Sequence, residues 1–369
     1  MAKIYHESLD GLRALAVVIV LLAHGGSPYP ISGGVGVDVF FVLSGFLITG
    51  VLSSEATAYG RVSLRNFYAR RVLRLTPCLL LTCALVVTLS WWFESAQPST
   101  ALVCAISYTS NWAMALYGTD LGALGHCWSL SIEEQYYLMW PLVIVTLEHK
   151  VKDGTALKGL LLACLALLAS LYRCSVVGSY SAERIYYGLD THMDGLVFGS
   201  ALHYGVQLIR ERGGFSLACS RAFSRVVVPF AAVGLLLIMR LLAWWHPWMG
   251  KLGFTLVACA ACVLIVDVTC SPASLLQRPL ASFAFKWTGK LSYGIYLYHY
   301  PLFHAVDSVL APAPLLVLLG VKVIATVALA TVSYFLVEIR FLELKRFFQP
   351  EPLRSDTEDA VRTSTPNET

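Results

Sequence analysis

Charge is scarce in this chain: 14% of its 369 residues are Asp, Glu, Lys or Arg, 57% are hydrophobic, and mean hydropathy is +0.66. That balance excludes an ordinary water-soluble domain. Alternating segments of roughly ten residues are missing, which excludes a membrane barrel, whereas long continuous apolar runs suit helices that satisfy their own backbone. There is no G-x-S-x-G nucleophile elbow, no metal-ligand spacing, no internal repeat and no long soluble segment. No Lys or Arg falls between Glu94 and Cys127. Most of the ten cysteines lie in apolar runs, including Cys83, Cys164, Cys259 and Cys262, and read as small buried hydrophobes. Cys259-Ala-Ala-Cys262 has redox spacing but lacks the strand-turn-helix setting of such chemistry. The first apolar run has no small-residue cleavage site after a charged lead, so it reads as a retained helix.

What is present reads as an all-α, polytopic transmembrane bundle. Ten spans are expected, near 8–24, 34–54, 75–93, 127–147, 157–176, 188–209, 226–245, 250–268, 287–310 and 314–338. An eleventh, re-entrant helix fits between Pro98 and Gly118. Residues 1–348 form the membrane domain, and the polar stretch 349–369 is expected to be a disordered tail. Basic residues alternate between loops. Arg61, Arg65, Arg70, Arg71 and Arg74 fall in one, Lys150, Lys152 and Lys158 in another, and Arg340, Lys345 and Arg346 near the end. The positive-inside rule then places both termini in the cytoplasm and His24 near the outer face.

The first hairpin, Asp10 to Gly50, carries Arg13, His24, Asp38 and Ser44 within apolar runs, where ionisable groups mark function. At about 1.5 Å per residue, Arg13 and His24 lie roughly 16 Å apart along one helix. His24 closes the first helix and Asp38 opens the second, so a tight hairpin is expected to pair them. The carboxylate would fix the tautomer and leave a basic nitrogen, although a helix cap uses the same residues. Arg70, Arg71 and Arg74 sit at helical spacing with Phe67 and Tyr68. That pattern serves an amphipathic surface helix or a phosphate clamp. The fourth span holds His126, Ser129, Ser131, Glu133, Glu134 and Gln135, either a helix-tying network or part of a site. A Ser129 nucleophile with His126 as base is a rival there. Trp112 and Tyr117, in the segment without basic residues, are either an interface belt or a platform for sugar rings.

Several segments together resemble the membrane-bound acyltransferase 3 family, the O-acetyltransferases of surface polysaccharides and related acceptors. They are Asp10-Gly-Leu-Arg13, His24, Gly34-Val-Gly-Val-Asp38-Val-Phe-Phe-Val-Leu-Ser44, Tyr68-Ala-Arg-Arg71-Val-Leu-Arg74-Leu-Thr-Pro77, His126-Cys-Trp128-Ser-Leu-Ser-Ile-Glu133-Glu134 and Leu291 to Pro301. His192 departs from the pattern, which has arginine there, and Glu338-Ile-Arg340 departs from its Glu-x-Pro ending, so Glu338 reads as an anchor. The resemblance implies an inner-membrane enzyme moving acetyl from acetyl-CoA to a sugar hydroxyl of a surface glycan, a lipid-linked precursor or a signalling oligosaccharide. A secondary metabolite such as a macrolide is the alternative acceptor. It implies His24, Asp38 and Glu134 as catalytic residues and Arg13, Arg70, Arg71 and Arg74 at the donor's phosphates. No metal and no nucleic-acid partner are expected, and membrane lipids surround the chain. Either the thioester reaches His24, about halfway through the bilayer from the cytoplasm, or His24 itself carries the acyl group. A transporter with a polar path through Arg13, Asp38 and Glu134 is the reading from another class.

Overall fold

The computed structural model describes residues 6–26, 32–94, 98–151 and 154–349. Among these there is no β-strand, only one isolated bridge between Val177 and Tyr180. The helices are α1 (Glu7–His24), α2 (Gly34–Tyr59), α3 (Leu64–Trp92), α4 (Ser99–Ile106), α5 (Ser110–Tyr117), α6 (Cys127–Lys150), α7 (Thr155–Val176), α8 (Ala182–Tyr187) and α9 (Leu189–His192). They continue as α10 (Asp194–Glu211), α11 (Leu217–Ala222), α12 (Val228–Leu241), α13 (Phe254–Cys270), α14 (Gln277–Leu280), α15 (Phe283–Leu310), α16 (Leu315–Ser333) and α17 (Ile339–Leu344). Single π-turns at Phe223–Val227 and Tyr334–Glu338 join α11 to α12 and α16 to α17.

Six helical stretches among the described residues are long and apolar enough to cross a membrane: Gly34–Tyr59, Leu64–Trp92, Thr155–Val176, Leu217–Leu241, Met249–Cys270 and Leu315–Phe348. Four expected spans, α1, α6, α10 and α15, do not qualify by composition although they are 18, 24, 18 and 28 residues long. Polar and charged residues interrupt each of them, including Arg13, Glu133, Glu134, Asp194 and His299. The expected surface helix from Ser63 is the first half of one 29-residue helix running through Pro77. Between Pro98 and Gly118 there are two short helices, α4 and α5, separated where Tyr108 takes φ +54°. The tail from residue 350 lies outside the described residues. All ten cysteines are free; Cys164 and Cys259 are exposed, not buried as expected, because each sits on the outward face of its helix.

Close backbone approach positions the site. A Cβ at Gly45 would lie 1.8 Å from the Leu196 carbonyl oxygen, and one at Gly199 would lie 2.0 Å from that of Val42, so α2 and α10 touch where only glycine fits. Gly289 likewise lets α15 meet α1 at the Asp10 carbonyl. Hydrogen bonds lock the inner helices: Trp140 Nε1 donates to Thr49 Oγ1 (2.8 Å), and Tyr136 shares one with Ser200 (2.8 Å). The outward faces are apolar, with Leu168 and Leu171 on α7, Phe230 and Leu236 on α12, and Leu316 and Ile324 on α16 all exposed. That is the pattern of helices solvated by lipid.

Candidate active site

Helix α1 ends at His24, whose Nδ1 lies 2.9 Å from the Val20 carbonyl oxygen one turn back. A carbonyl only accepts, so the proton sits on Nδ1 and Nε2 keeps its lone pair. His24 is exposed within a cavity of about 550 Å³ lined also by Gly34, Asp120, His126, Trp128, Tyr186, Tyr187, Trp244, Trp245 and Tyr300. His299 and Tyr300 of α15 pack against it, with ring centroids 5.1 and 5.3 Å away. His126, just before α6, lies 5.3 Å from the His299 ring and donates from Nε2 to the Leu297 carbonyl (3.1 Å). His299 donates from Nδ1 to the Tyr296 carbonyl, which leaves its buried Nε2 without a hydrogen-bond partner. Backbone carbonyls therefore set the tautomer of all three imidazoles.

A second, smaller cavity of about 70 Å³ is lined by Arg13 of α1, Ser44 of α2, Arg71 and Arg74 of α3, Ser129, Glu133 and Tyr137 of α6, and Tyr293 and Tyr296 of α15. The Arg71 guanidinium lies 3.5 Å from the centre of the Tyr137 ring, and its Nε and Nη2 are buried with no hydrogen-bond partner. Arg13 Nε is likewise unpartnered, while Glu133 Oε1 accepts from Ser44 Oγ at 2.7 Å. Three guanidinium groups face one small space, and two of them, Arg13 and Arg71, have donors unmet. Leaving such donors dry is costly, and the oxygens of a phosphate fit them.

The family model described as "Acyltransferase domain" matches residues 6–335. The chain belongs to this acyltransferase family. It is similar to the O-acetyltransferase OatA of Staphylococcus aureus (strain NCTC 8325 / PS 47), 30% identical over 351 residues covering 90% of this chain and 57% of the relative. It is similar also to the peptidoglycan O-acetyltransferase OatA of Listeria monocytogenes serovar 1/2a, 30% identical over 346 residues covering 90% of this chain and 55% of the relative. The chain thus spans a little over half the length of these curated relatives. No solved structure matches it.

The acyltransferase is a membrane protein whose expected site residues are only partly brought together. Asp38 does not meet His24. Its Oδ1 lies 2.8 Å from His192 Nε2, and His192 in turn donates from Nδ1 to the Tyr186 carbonyl at 2.6 Å. Asp38 starts α2 on the face toward α9 and α10, so closing the hairpin brings the two helix ends together without facing the side chains. Arg70 is absent from the small cavity because Glu55 (2.8 Å) and the Phe348 carbonyl (2.7 Å) hold its guanidinium. Of the two adjacent acids, Glu133 lines that cavity; Glu134 does not, and its buried Oε1 has no hydrogen-bond partner.

The Ser129 nucleophile finds no base: Ser129 Oγ contacts the Tyr296 hydroxyl (2.6 Å) and only the backbone carbonyl of His126. Trp112 donates to Gln135 and lies under Arg184, while Tyr117 is 80% exposed, so neither lines the large cavity. Tyr296 and His299 fall in the segment Leu291 to Pro301 already noted, and Trp244 is the residue that reading the sequence missed. The first two sit three apart on one helix, a spacing that equally fits an aromatic membrane belt. Among the described residues no three His, Cys, Asp or Glu converge as metal ligands.

Proposed function

We propose that this acyltransferase is a plasma-membrane O-acetyltransferase that moves acetyl from acetyl-CoA to a sugar hydroxyl of a cell-surface glycan, with a peptidoglycan-like polymer or its precursor as the acceptor. The names of its relatives support that acceptor class. Helices α1, α6, α10 and α15 complete ten spans, lipid-shielded by the six apolar ones, with both termini cytoplasmic. One observation carries the reading. Two cavities lie end to end in the bundle, one presenting guanidinium donors without partners and the other an imidazole with a free Nε2 beside aromatic walls.

In this scheme Arg13, Arg71 and Arg74 take the donor's phosphates, and the arm carrying the thioester rises beside α1 toward His24. The acceptor enters the large cavity from the outer face, where Trp128, Tyr187 and Trp244 offer flat surfaces to sugar rings. His24 Nε2 removes the hydroxyl proton as the oxygen attacks the thioester carbonyl. The new C–O bond forms, the C–S bond breaks, and the proton returns from His24 to the departing thiolate. The Val20 carbonyl steadies the resulting imidazolium at Nδ1. The Asp38–His192 pair braces the wall that holds Tyr186 and Trp128, since the His192 ring is stacked on Trp128 (17° between planes). Purified protein incubated with acetyl-CoA and glycan oligomers should release CoA and add acetyl groups visible by mass spectrometry. Release of CoA with no acetylated glycan, for any glycan offered, contradicts the acceptor class.

A further inference from the structure

The two cavities are stacked along the same three helices, and their border falls at one level on each. On α2 the large cavity is lined up to Val37 and the small one from Val37 to Ser44. On α6 the border lies between Trp128 and Ser129, and on α15 at Tyr296. Among the described residues Val37 and Tyr296 alone line both. Val37 is 5% exposed, and the Tyr296 ring is held from two directions. Its hydroxyl donates to the His126 carbonyl (2.9 Å) and accepts from Ser129 Oγ (2.6 Å), while Phe40 meets the ring edge-on at 6.4 Å. A packed valine and a doubly anchored tyrosine therefore bound both chambers at the same level.

We propose that Val37 is the specificity-determining residue for acyl length: with Tyr296 it forms the partition at which the acyl group must sit to meet the acceptor, and its bulk admits acetyl and rejects longer chains. The inference rests on the donor-below, acceptor-above reading. The acyl carbon leaves sulfur and bonds to the acceptor oxygen at this level, so its hydrocarbon tail has to lie against the Val37 side chain. In a hydrophobic pocket one extra methylene changes selectivity by about 10- to 200-fold. Val37→Ala removes two carbons, and butyryl exceeds acetyl by two carbons, so the lost volume matches the added chain. Tyr296 works through its anchors. Tyr296→Phe keeps the ring but drops both hydrogen bonds, so the partition closes less firmly against water from the large cavity.

The test is kcat/KM for acetyl-, propionyl- and butyryl-CoA with one glycan acceptor, on detergent-purified wild type, Val37→Ala, Tyr296→Phe and Arg71→Ala. Wild type should prefer acetyl. Val37→Ala should raise the butyryl-to-acetyl ratio by about 10-fold or more, and Tyr296→Phe should raise CoA release without acceptor several-fold while leaving that ratio nearly unchanged. Arg71→Ala should raise KM for all three donors alike, which separates the donor reading from the partition. A Val37→Ala enzyme with the wild-type melting profile and an unchanged chain-length ratio overturns the partition while leaving the donor site standing. A wild type that consumes none of the three donors overturns both.

Discussion

Arg71→Ala isolates what the basic cluster does, because Arg71 lines the small cavity while its neighbour Arg70 is fully engaged elsewhere. Two of its nitrogens, Nε and Nη2, are buried and unpartnered. A hydrogen bond to a charged group contributes about 1.5–3 kcal/mol. Losing one such bond to a phosphate corresponds to a rise of roughly 10- to 150-fold in donor KM, at about 1.4 kcal/mol per tenfold. The same substitution removes the guanidinium lying 3.5 Å from the Tyr137 ring, a contact contributing about 0.5–2 kcal/mol to the fold, so a melting curve accompanies the kinetics. Arg71→Lys keeps the charge but loses the fork and the stacking surface, and should recover only part of the affinity. The assay is initial-rate CoA release over a range of acetyl-CoA at saturating glycan. A KM within twofold of wild type, in a protein that melts like wild type, refutes the phosphate assignment.

Other substitutions separate chemistry from structure. His24→Ala should lower kcat by about 10²- to 10⁴-fold with normal membrane yield, since a base exposed to the cavity is lost while the His299 and Tyr300 rings beside it stay held on α15. Arg70→Ala should do the opposite, lowering yield and melting temperature while donor KM stays near wild type. Asp38→Ala strands His192 in a buried site and should cost about 3–5 kcal/mol of stability; Asp38→Asn keeps a polar partner, its amide N–H, for Nε2 and should melt closer to wild type. Trp244→Ala should raise acceptor KM about 2- to 10-fold with donor KM unchanged, as loss of a stacking surface contributing about 0.5–1.5 kcal/mol. Equal loss of donor and acceptor use there would mark a folding defect instead.

The helical class and most helix positions were legible because apolar runs of span length leave few alternatives. The expected limits of the second span, 34–54, and the fifth, 157–176, fall within α2 and α7. The polar helices that line the two cavities were legible as oddities: Arg13, His24 and the acids of α6 stand out against hydrocarbon-like surroundings. Facing was not legible. Asp38 and His24 are neighbours in the hairpin, but the rotation of α2 is fixed by glycine contacts with α10, 150 residues later, and turns the carboxylate to His192. Arg70 and Arg71 are adjacent in sequence, yet a helix sends them to different sides, and only the fold reveals that Glu55 waits on one and Tyr137 on the other. Whether His299 belonged to an aromatic belt or to the site lining was not legible either, because belts and site linings use the same residues at the same depth.

Proteoliposomes loaded with labelled acetyl-CoA, with a glycan acceptor supplied only outside, bring donor, base and acceptor into one reading. The stacked cavities predict label on the external glycan with wild type, loss of that label with His24→Ala, and no transfer when labelled acetyl-CoA and acceptor are both outside a population sorted to present only its outer face. Transfer that survives His24→Ala, or that requires donor and acceptor on the same side of the membrane, contradicts a path from the arginine cavity to His24.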